Sequence, residues 1–329
     1  MGVLVLNERE IRRCVSMTPE AAKAVALGFT RLSEGRVSMP PVVRVDIPRH
    51  RGEVDIKTAY IEGLDHFAVK VASGFFDNAS LGLPYGSGLM LVMSAITGLI
   101  EAVLLDNGYL TDLRTGIAGA IAARHLAPAR IDTAGVIGSG MQARFQLRGL
   151  RLVRSFRRIL VHARNPASVE RYADEMRREL GVEVTVASDV ESVVRESQFV
   201  VTTTPTREPW LRAAWLHPEL HITAVGADGE HKQELDADCF ARADRIACDS
   251  RAQCFRLGEL HHAVDAAVIR PDTPVVELGE LCGGRRSGRS GDEEITICDL
   301  TGVGVQDTTI AVAALGAAQA LKLGKSFEV

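Results

Sequence analysis

Three segments near the beginning of the chain alternate apolar and polar residues at period two. In residues 42–47 the apolar set is Val43, Val45 and Ile47. In 54–60 it is Val54, Ile56, Thr58 and Tyr60, and in 67–71 it is Phe67, Val69 and Val71. Such alternation predicts half-buried strands. A helix is predicted before them. Thr18-Pro19-Glu20 supplies a capping hydroxyl, a proline at the first helical position and an acid near the positive end, and Val25, Phe29 and Leu32 then share a face as far as Gly35. Asn7 and Glu10 have the spacing of a capping box for a short first helix. The long apolar stretch 89–105 is interrupted by Ser94, Thr97, Gly98 and Glu101, and reads as two strands joined at Thr97-Gly98 rather than as a membrane span. Asp106-Asn107-Gly108 forms a turn, after which Thr111 is expected to cap a helix running to about Leu126 with Arg114 in its first turn.

From Ile131 onward the pattern changes to strand, helix, strand, helix. Strands are expected at 133–138, 158–163, 182–187, 199–203, 221–225, 245–248 and 294–298, with helices between several of them. This is the signature of a parallel sheet covered on both faces. The first of these strands leads into Gly138-Ser139-Gly140-Met141-Gln142-Ala143. There Gly138 allows a sharp turn, Gly140 allows the backbone to approach a diphosphate, and small Ala143 lets helix and strand pack closely. The free N–H groups at the helix start would hold the diphosphate. A Gly-x-Gly-x-x-Ala run is weak by itself, but a strand before it, a helix after it and a second strand at the expected distance support dinucleotide binding. The last helix, 307–323, is nearly all alanine and leucine, so it must pack against something.

Composition narrows the picture. A length of 329 residues suggests two domains, and a net charge of −4 gives no electrostatic case for nucleic acid or an anionic membrane. Cys14, Cys239, Cys248, Cys254, Cys282 and Cys298 contain no CxxC pair and read as reduced thiols of a cytoplasmic protein. The apolar run at 3–6 is too short for a signal peptide. His261-His262 lacks the spacing of a metal site, so no metal is expected, and Trp210 and Trp215 read as packing residues.

On the parity opposite to their apolar residues, the three early strands carry Arg44, Lys57 and Lys70. Two readings are open: a solvated sheet face, or cations gathered around an anion. Arg114 near a helix start opposes the helix dipole, which hints at an anionic ligand, although an exposed arginine is the simpler alternative.

Four separated motifs make the chain resemble the ornithine cyclodeaminase / μ-crystallin family over nearly its whole length. They are Tyr109-Leu110-Thr111-Asp112-Leu113-Arg114-Thr115-Gly116, Val136 to Ala143, Val225-Gly226-Ala227-Asp228 with Lys232-Gln233-Glu234-Leu235, and Asp299 to Asp307. The resemblance implies an α/β fold: a Rossmann-type dinucleotide-binding domain at 116–305, and a mixed αβ substrate-binding and dimerisation domain built from 1–115 plus 306–329. It implies a homodimer and an NAD(P)-dependent enzyme acting on a small amino or imino acid. Arg44 and Lys70 would hold the substrate carboxylate, Arg114 would stand next to substrate and cofactor, and Asp228 or Lys70 would be the acid/base. Cofactor contacts would come from Tyr85, Ser87, Arg114, Thr115, Gly138, Ser139, Gly140, Met141, Gln142, Arg164, Asn165, Thr203, Thr204, Val225, Gly226, Lys232 and Val303.

Lys57 departs from the ornithine cyclodeaminase pattern, in which a carboxylate is expected near this position to hold the substrate's side-chain amine. A lysine would repel that amine and attract an acid, if it faces the site rather than snorkelling to solvent. The segments around Asp55, Lys70 and Leu104 look most like a branch containing iminosuccinate reductases and the cyclodeaminase-like proteins of ectoine utilisation. The expected reaction is therefore reduction of an acidic imino acid such as iminosuccinate. An ammonia lyase of the ornithine cyclodeaminase type and a μ-crystallin-like ketimine reductase or binding protein are the alternatives. After the second strand of the dinucleotide domain, Ala163 stands where NAD-preferring sites usually offer an acid, and Arg164 follows. This leans toward NADP(H) over NAD(H).

Overall fold

A computed structural model describes residues 2–328 and divides the chain into two units, residues 1–114 with 303–329 and residues 115–302. In the first unit, strands β1 (Gly2–Asn7), β2 (Val37–Ser38), β3 (Val43–Ile47), β4 (Gly52–Ile61), β5 (His66–Phe75), β6 (Gly86–Ser94) and β7 (Ile100–Leu105) join a C-terminal strand, Lys325–Glu328, in one 8-stranded sheet. The antiparallel run β4-β5-β6-β7 forms its centre, and β1 pairs parallel with β7. Strands β1 and Lys325–Glu328 were not anticipated as a pair, because 3–6 is a continuous apolar run without alternation and Lys325–Glu328 is only 4 residues long.

The helix starts follow local chemistry. Asn7 and Glu10 form the reciprocal capping box, and Thr18 accepts from the Ala21 amide at the start of helix Pro19–Ser33. The helix after β7 differs from expectation. It runs Tyr109–Leu126, and Asp106, not Thr111, caps it by accepting from the Leu110 amide at 2.7 Å. Asp106 precedes the turn and reaches the first free amides, so Arg114 falls beyond the first turn and the helix dipole no longer argues about its role.

The larger correction concerns which sheet face is covered. Alternation suggested burial of the apolar parity of β3–β5. In the structure Val43, Val45 and Tyr60 of that parity are 55%, 48% and 39% exposed, whereas Lys57, Ala59, Ile61, Ala68 and Lys70 of the other parity are buried. The cause is the C-terminal helix, Gly304–Leu321, which lies on the alanine and lysine face. A side chain on Gly304 would collide with the Thr58 carbonyl, and the Thr308 hydroxyl donates to the Ala59 carbonyl at 2.7 Å while accepting from the Ala68 amide at 3.1 Å. Small residues on the sheet permit this approach, and buried polar groups there find partners. Helix Pro19–Ser33 packs on the same C-terminal helix through Gly28, whose missing side chain would meet Thr309 and Val305.

In the second unit, β8 (Thr133–Ile137), β9 (Arg158–His162), β10 (Glu183–Val186), β11 (Phe199–Thr202), β12 (His221–Ala224), β13 (Arg245–Cys248), β14 (Val276–Glu277) and β15 (Thr296–Asp299) form a parallel sheet in the order β10-β9-β8-β11-β12-β15-β13-β14. Helices between the strands bury an aliphatic core that includes Val193, Val200, Leu211, Ile222, Leu235, Phe240 and Ile297, with Trp210 and Trp215 packed against it. The strand order reverses between β8 and β11. Ligands of open parallel sheets bind at the carboxyl ends of the strands at such a reversal.

Candidate active site

In the first unit, the antiparallel register of β4 and β5 sets Lys57 directly opposite Lys70, so both side chains leave the same sheet face. They are 6% and 2% exposed, which removes the solvated-face reading for this pair. Across β3 and β4, Arg44 is opposite Asp55, two residues along β4 from Lys57. Arg44 is engaged by acids: it pairs with Glu53, with Asp46 at 3.2 Å and with Asp55 at 3.7 Å.

A further buried cation, Arg114 of the Tyr109–Leu126 helix, is 3% exposed. Its Nε lies 3.0 Å from Asp307 Oδ1, and its Nη1 donates to Gln306 Oε1 at 3.2 Å. Gln306 donates back to the Arg114 carbonyl and also accepts from the Val303 amide at 2.8 Å, tying the start of the C-terminal helix to Arg114. Asp307, fully buried, also holds Lys70 Nζ at 3.2 Å from its Oδ2. Burial pushes the Lys70 ammonium down to about 7, helped by Arg114 and Lys57 and opposed by Asp307. Lys70 can therefore exchange a proton near neutral pH. Burial also pushes the nearby Asp106 carboxyl up.

Ser87 is not brought to this cluster. Ser87 pairs with Ser73 on the parity opposite to Lys70 and donates to Asn107 Oδ1 at 2.9 Å. Tyr85 is 49% exposed and packs edge-on against Phe76. Ser87 lines an open groove with Val71, Ser73, Leu89 and Leu105, on the sheet face away from the buried lysines.

In the second unit, the glycine turn follows β8 as the sequence indicates. Gly138 has φ +114°, and a side chain on it would collide with Thr203 Oγ1. Gly140 caps the helix Met141–Val153 without a side-chain cap, and a Cβ built on it meets nothing within 4 Å. Amides at an uncapped helix start beside open space fit a diphosphate. Ala143 is fully buried, Met141 is 53% exposed, and Ser139 shares a hydrogen bond of 2.9 Å with Ser168. Thr115 accepts from Gln146, which also reaches Gln142. Arg144 donates to the carbonyls of Ser139 and Gly140 at 2.8 and 2.9 Å, fixing the turn.

At the end of β11, Thr203 donates to the Ile137 carbonyl and Thr204 donates to Glu234. Glu234 is the organiser that sequence reasoning missed. Its buried carboxylate accepts from Thr202, Thr204 and the Gly226 amide, and so pins the ends of β11 and β12 together. Burial pushes this carboxyl up, against those hydrogen bonds. Its place beside Lys232 in a motif was visible, but partners on other strands were not. Asp228 follows β12 and accepts from Lys232 Nζ at 2.8 Å, while Val225 donates to the Thr202 carbonyl. Asn165 uses its side chain to cap the helix Pro166–Leu180, and Arg164 before it is exposed. His261 faces Asp265, and His262 meets the Lys232 carbonyl at 2.8 Å.

The chain is similar to known proteins over nearly its whole length. A chain from Rhizobium meliloti (strain 1021), provisionally named dehydrogenase RB0419, is 48% identical over 324 residues, 98% of each chain. The iminosuccinate reductase of Paracoccus denitrificans (strain Pd 1222) is 34% identical over 332 residues, covering 99% of this chain and 100% of that one. The solved structure of Thermococcus litoralis Δ1-pyrroline-2-carboxylate reductase in complex with NADH and L-proline aligns with a TM-score of 0.93 at 28% identity, over 98% of this chain and 99% of that one. The family model described as ornithine cyclodeaminase/mu-crystallin matches residues 2–319, and the chain belongs to that family.

Proposed function

We propose that the protein is an NAD(P)H-dependent reductase of an acidic imino acid, of which iminosuccinate, giving aspartate, is the best candidate. The observation that carries the reading is the directly opposed, buried pair Lys57 and Lys70 beside Arg114. Like charges opposite one another across strands repel, and three cations, Lys57, Lys70 and Arg114, around the carboxylate of Asp307 suit an anionic substrate. A monocarboxylate would answer part of this charge, and a dicarboxylate answers more of it.

A nicotinamide dinucleotide supplies the hydride when bound, and the amides at Gly140 and the open space beside it fit its diphosphate. On the substrate side, Lys70 and Arg114 hold the α-carboxylate and Lys57 holds the distal one. Arg44 contributes by exchanging an acidic partner for substrate. Fixing both ends of a short dicarboxylate limits the orientations of its C=N carbon. Lys70, poised near 7, gives a proton to the imine nitrogen, and Asp228 is the alternative donor. Arg164 after β9 supports use of NADP(H), whereas the NADH bound by the Thermococcus relative weighs toward NAD(H). The exposed apolar residues Val43 and Val45 suit burial against a second copy of the chain.

A second reading has one observation in its favour. Asp55 shares the sheet face of Lys57 and Lys70 and could hold a substrate amine, as an ornithine-type cyclodeaminase requires. The experiment is oxidation of NADPH and of NADH with oxaloacetate plus concentrated ammonia, set beside L-ornithine with NAD⁺. Aspartate with oxidised nicotinamide supports the reductase. Proline and ammonia with no net change of nicotinamide contradicts it.

A further inference from the structure

We propose that Asp307 is a positioning residue for the reaction: its carboxylate holds the Lys70 ammonium and the Arg114 guanidinium side by side and keeps Lys70 in the form that can donate a proton. The inference rests on the reading of Lys70 as donor given above. Asp307 is fully buried in the first turn of the C-terminal helix, where the helix dipole favours a negative charge. Its two oxygens divide between the cations, Oδ2 at 3.2 Å from Lys70 Nζ and Oδ1 at 3.0 Å from Arg114 Nε. Each oxygen is thus occupied by an ion pair with a different cation.

The surroundings of Lys70 leave this role to Asp307. On β4 it faces Lys57, and on β6 it is opposite Met90, which offers no charge. Arg114 comes from the Tyr109–Leu126 helix, and Asp106 from the end of β7. Asp55 is two residues from Lys57 on the same face and pairs with Arg44. Burial, Arg114 and Lys57 all favour the neutral amine; Asp307 opposes them with both its charge and its proximity. An ammonium has three donors, and engaging one with Asp307 directs the others. Asp307 touches neither substrate nor cofactor in this account, so it acts through Lys70 and Arg114.

The test follows Lys70 directly. The full-length chain carrying lysine labelled with ¹³C at the ε position is titrated by NMR, with the Lys70 signal assigned by its loss in Lys70→Met. The same is done for Asp307→Asn, Asp307→Ser and Asp307→Glu, together with pH profiles of kcat/KM on the imine of oxaloacetate. Removing the carboxylate is expected to lower the Lys70 titration, and with it the basic limb of kcat/KM, by about one to three pH units. Asp307→Glu is expected to restore part of the shift. Asp307→Asn and Asp307→Ser with an unmoved Lys70 titration would overturn the proposal, as would failure of both variants to fold, which would make Asp307 a structural residue. If the wild type reduces no imino acid, the proposed function fails while the NMR titration still decides whether Asp307 governs Lys70.

Discussion

Lys57 and Lys70 are direct cross-strand partners on β4 and β5, and both are buried beneath the C-terminal helix. Two lysines so placed can each take one carboxylate of the same ligand. The account therefore expects dicarboxylates to stabilise the chain more than monocarboxylates. Succinate at a concentration about a hundredfold above its Kd adds about 2.7 kcal/mol, whereas propionate at the same concentration adds less. A thermal melt with each salt at matched ionic strength measures the difference, and equal shifts would count against a two-carboxylate site.

Lys70 also sets a pH dependence. Its ammonium is lowered from 10.5 to about 7 in the folded chain, first by burial and then by Arg114. Between these values the unfolded chain binds a proton that the folded chain does not, so the contribution of Lys70 to stability rises with pH across that window. Lys70→Met should flatten the slope of stability against pH between about 7 and 10. Activity has the opposite sign: proton donation by Lys70 requires the ammonium, so kcat/KM should fall as pH rises through about 7. Urea unfolding of both chains across this range, with a parallel activity profile, measures each effect.

The two glycines of the turn after β8 should fail in different ways. A side chain on Gly138 meets Thr203, and the residue sits at φ +114°, so Gly138→Ala should destabilise the chain by about 1–3 kcal/mol. Gly140 has open space, so Gly140→Val should leave the melting temperature nearly unchanged and lower dinucleotide affinity at least about tenfold. Melting curves with NADH and NADPH titrations separate the two outcomes.

Glu234 predicts a cost in both stability and binding. Glu234→Ala leaves the Thr202 and Thr204 hydroxyls and the Gly226 amide without their shared acceptor. Several kilocalories, about 2–4 kcal/mol, should be lost, with dinucleotide affinity lowered because the ends of β11 and β12 are no longer joined. Glu234→Gln, which keeps one acceptor oxygen, should lose less. Urea unfolding and fluorescence titration measure the two effects.

What the sequence made legible follows the range of each interaction. The glycine turn and the alternation of parallel strands with helices depend on neighbours, and both were readable; so were the capping box at Asn7 and the proline start at Pro19. The face of β3–β5 that is buried was not. Alternation tells which residues share a face, and the choice of face was made by a helix more than two hundred residues later, through Thr308 and Gly304. Once that face is known, Lys57 and Lys70 change from surface lysines into buried cations. The cap of the Tyr109–Leu126 helix was misplaced at Thr111, because Asp106 was read as part of the turn. Asp307 and Glu234 lie inside the family motifs, but their roles were not readable there, since the groups they hold come from distant elements.

The most direct measurement of the central claim is the ratio of kcat/KM for the imines of oxaloacetate and pyruvate, in the wild type and in Lys57→Glu. The wild type should favour the dicarboxylate, and Lys57→Glu should lose about one to two orders of magnitude on it, in line with a charge-assisted hydrogen bond of about 1.5–3 kcal/mol, while the pyruvate imine changes much less. Equal losses on both substrates, or none on either, would contradict Lys57 as the residue that selects a second carboxylate.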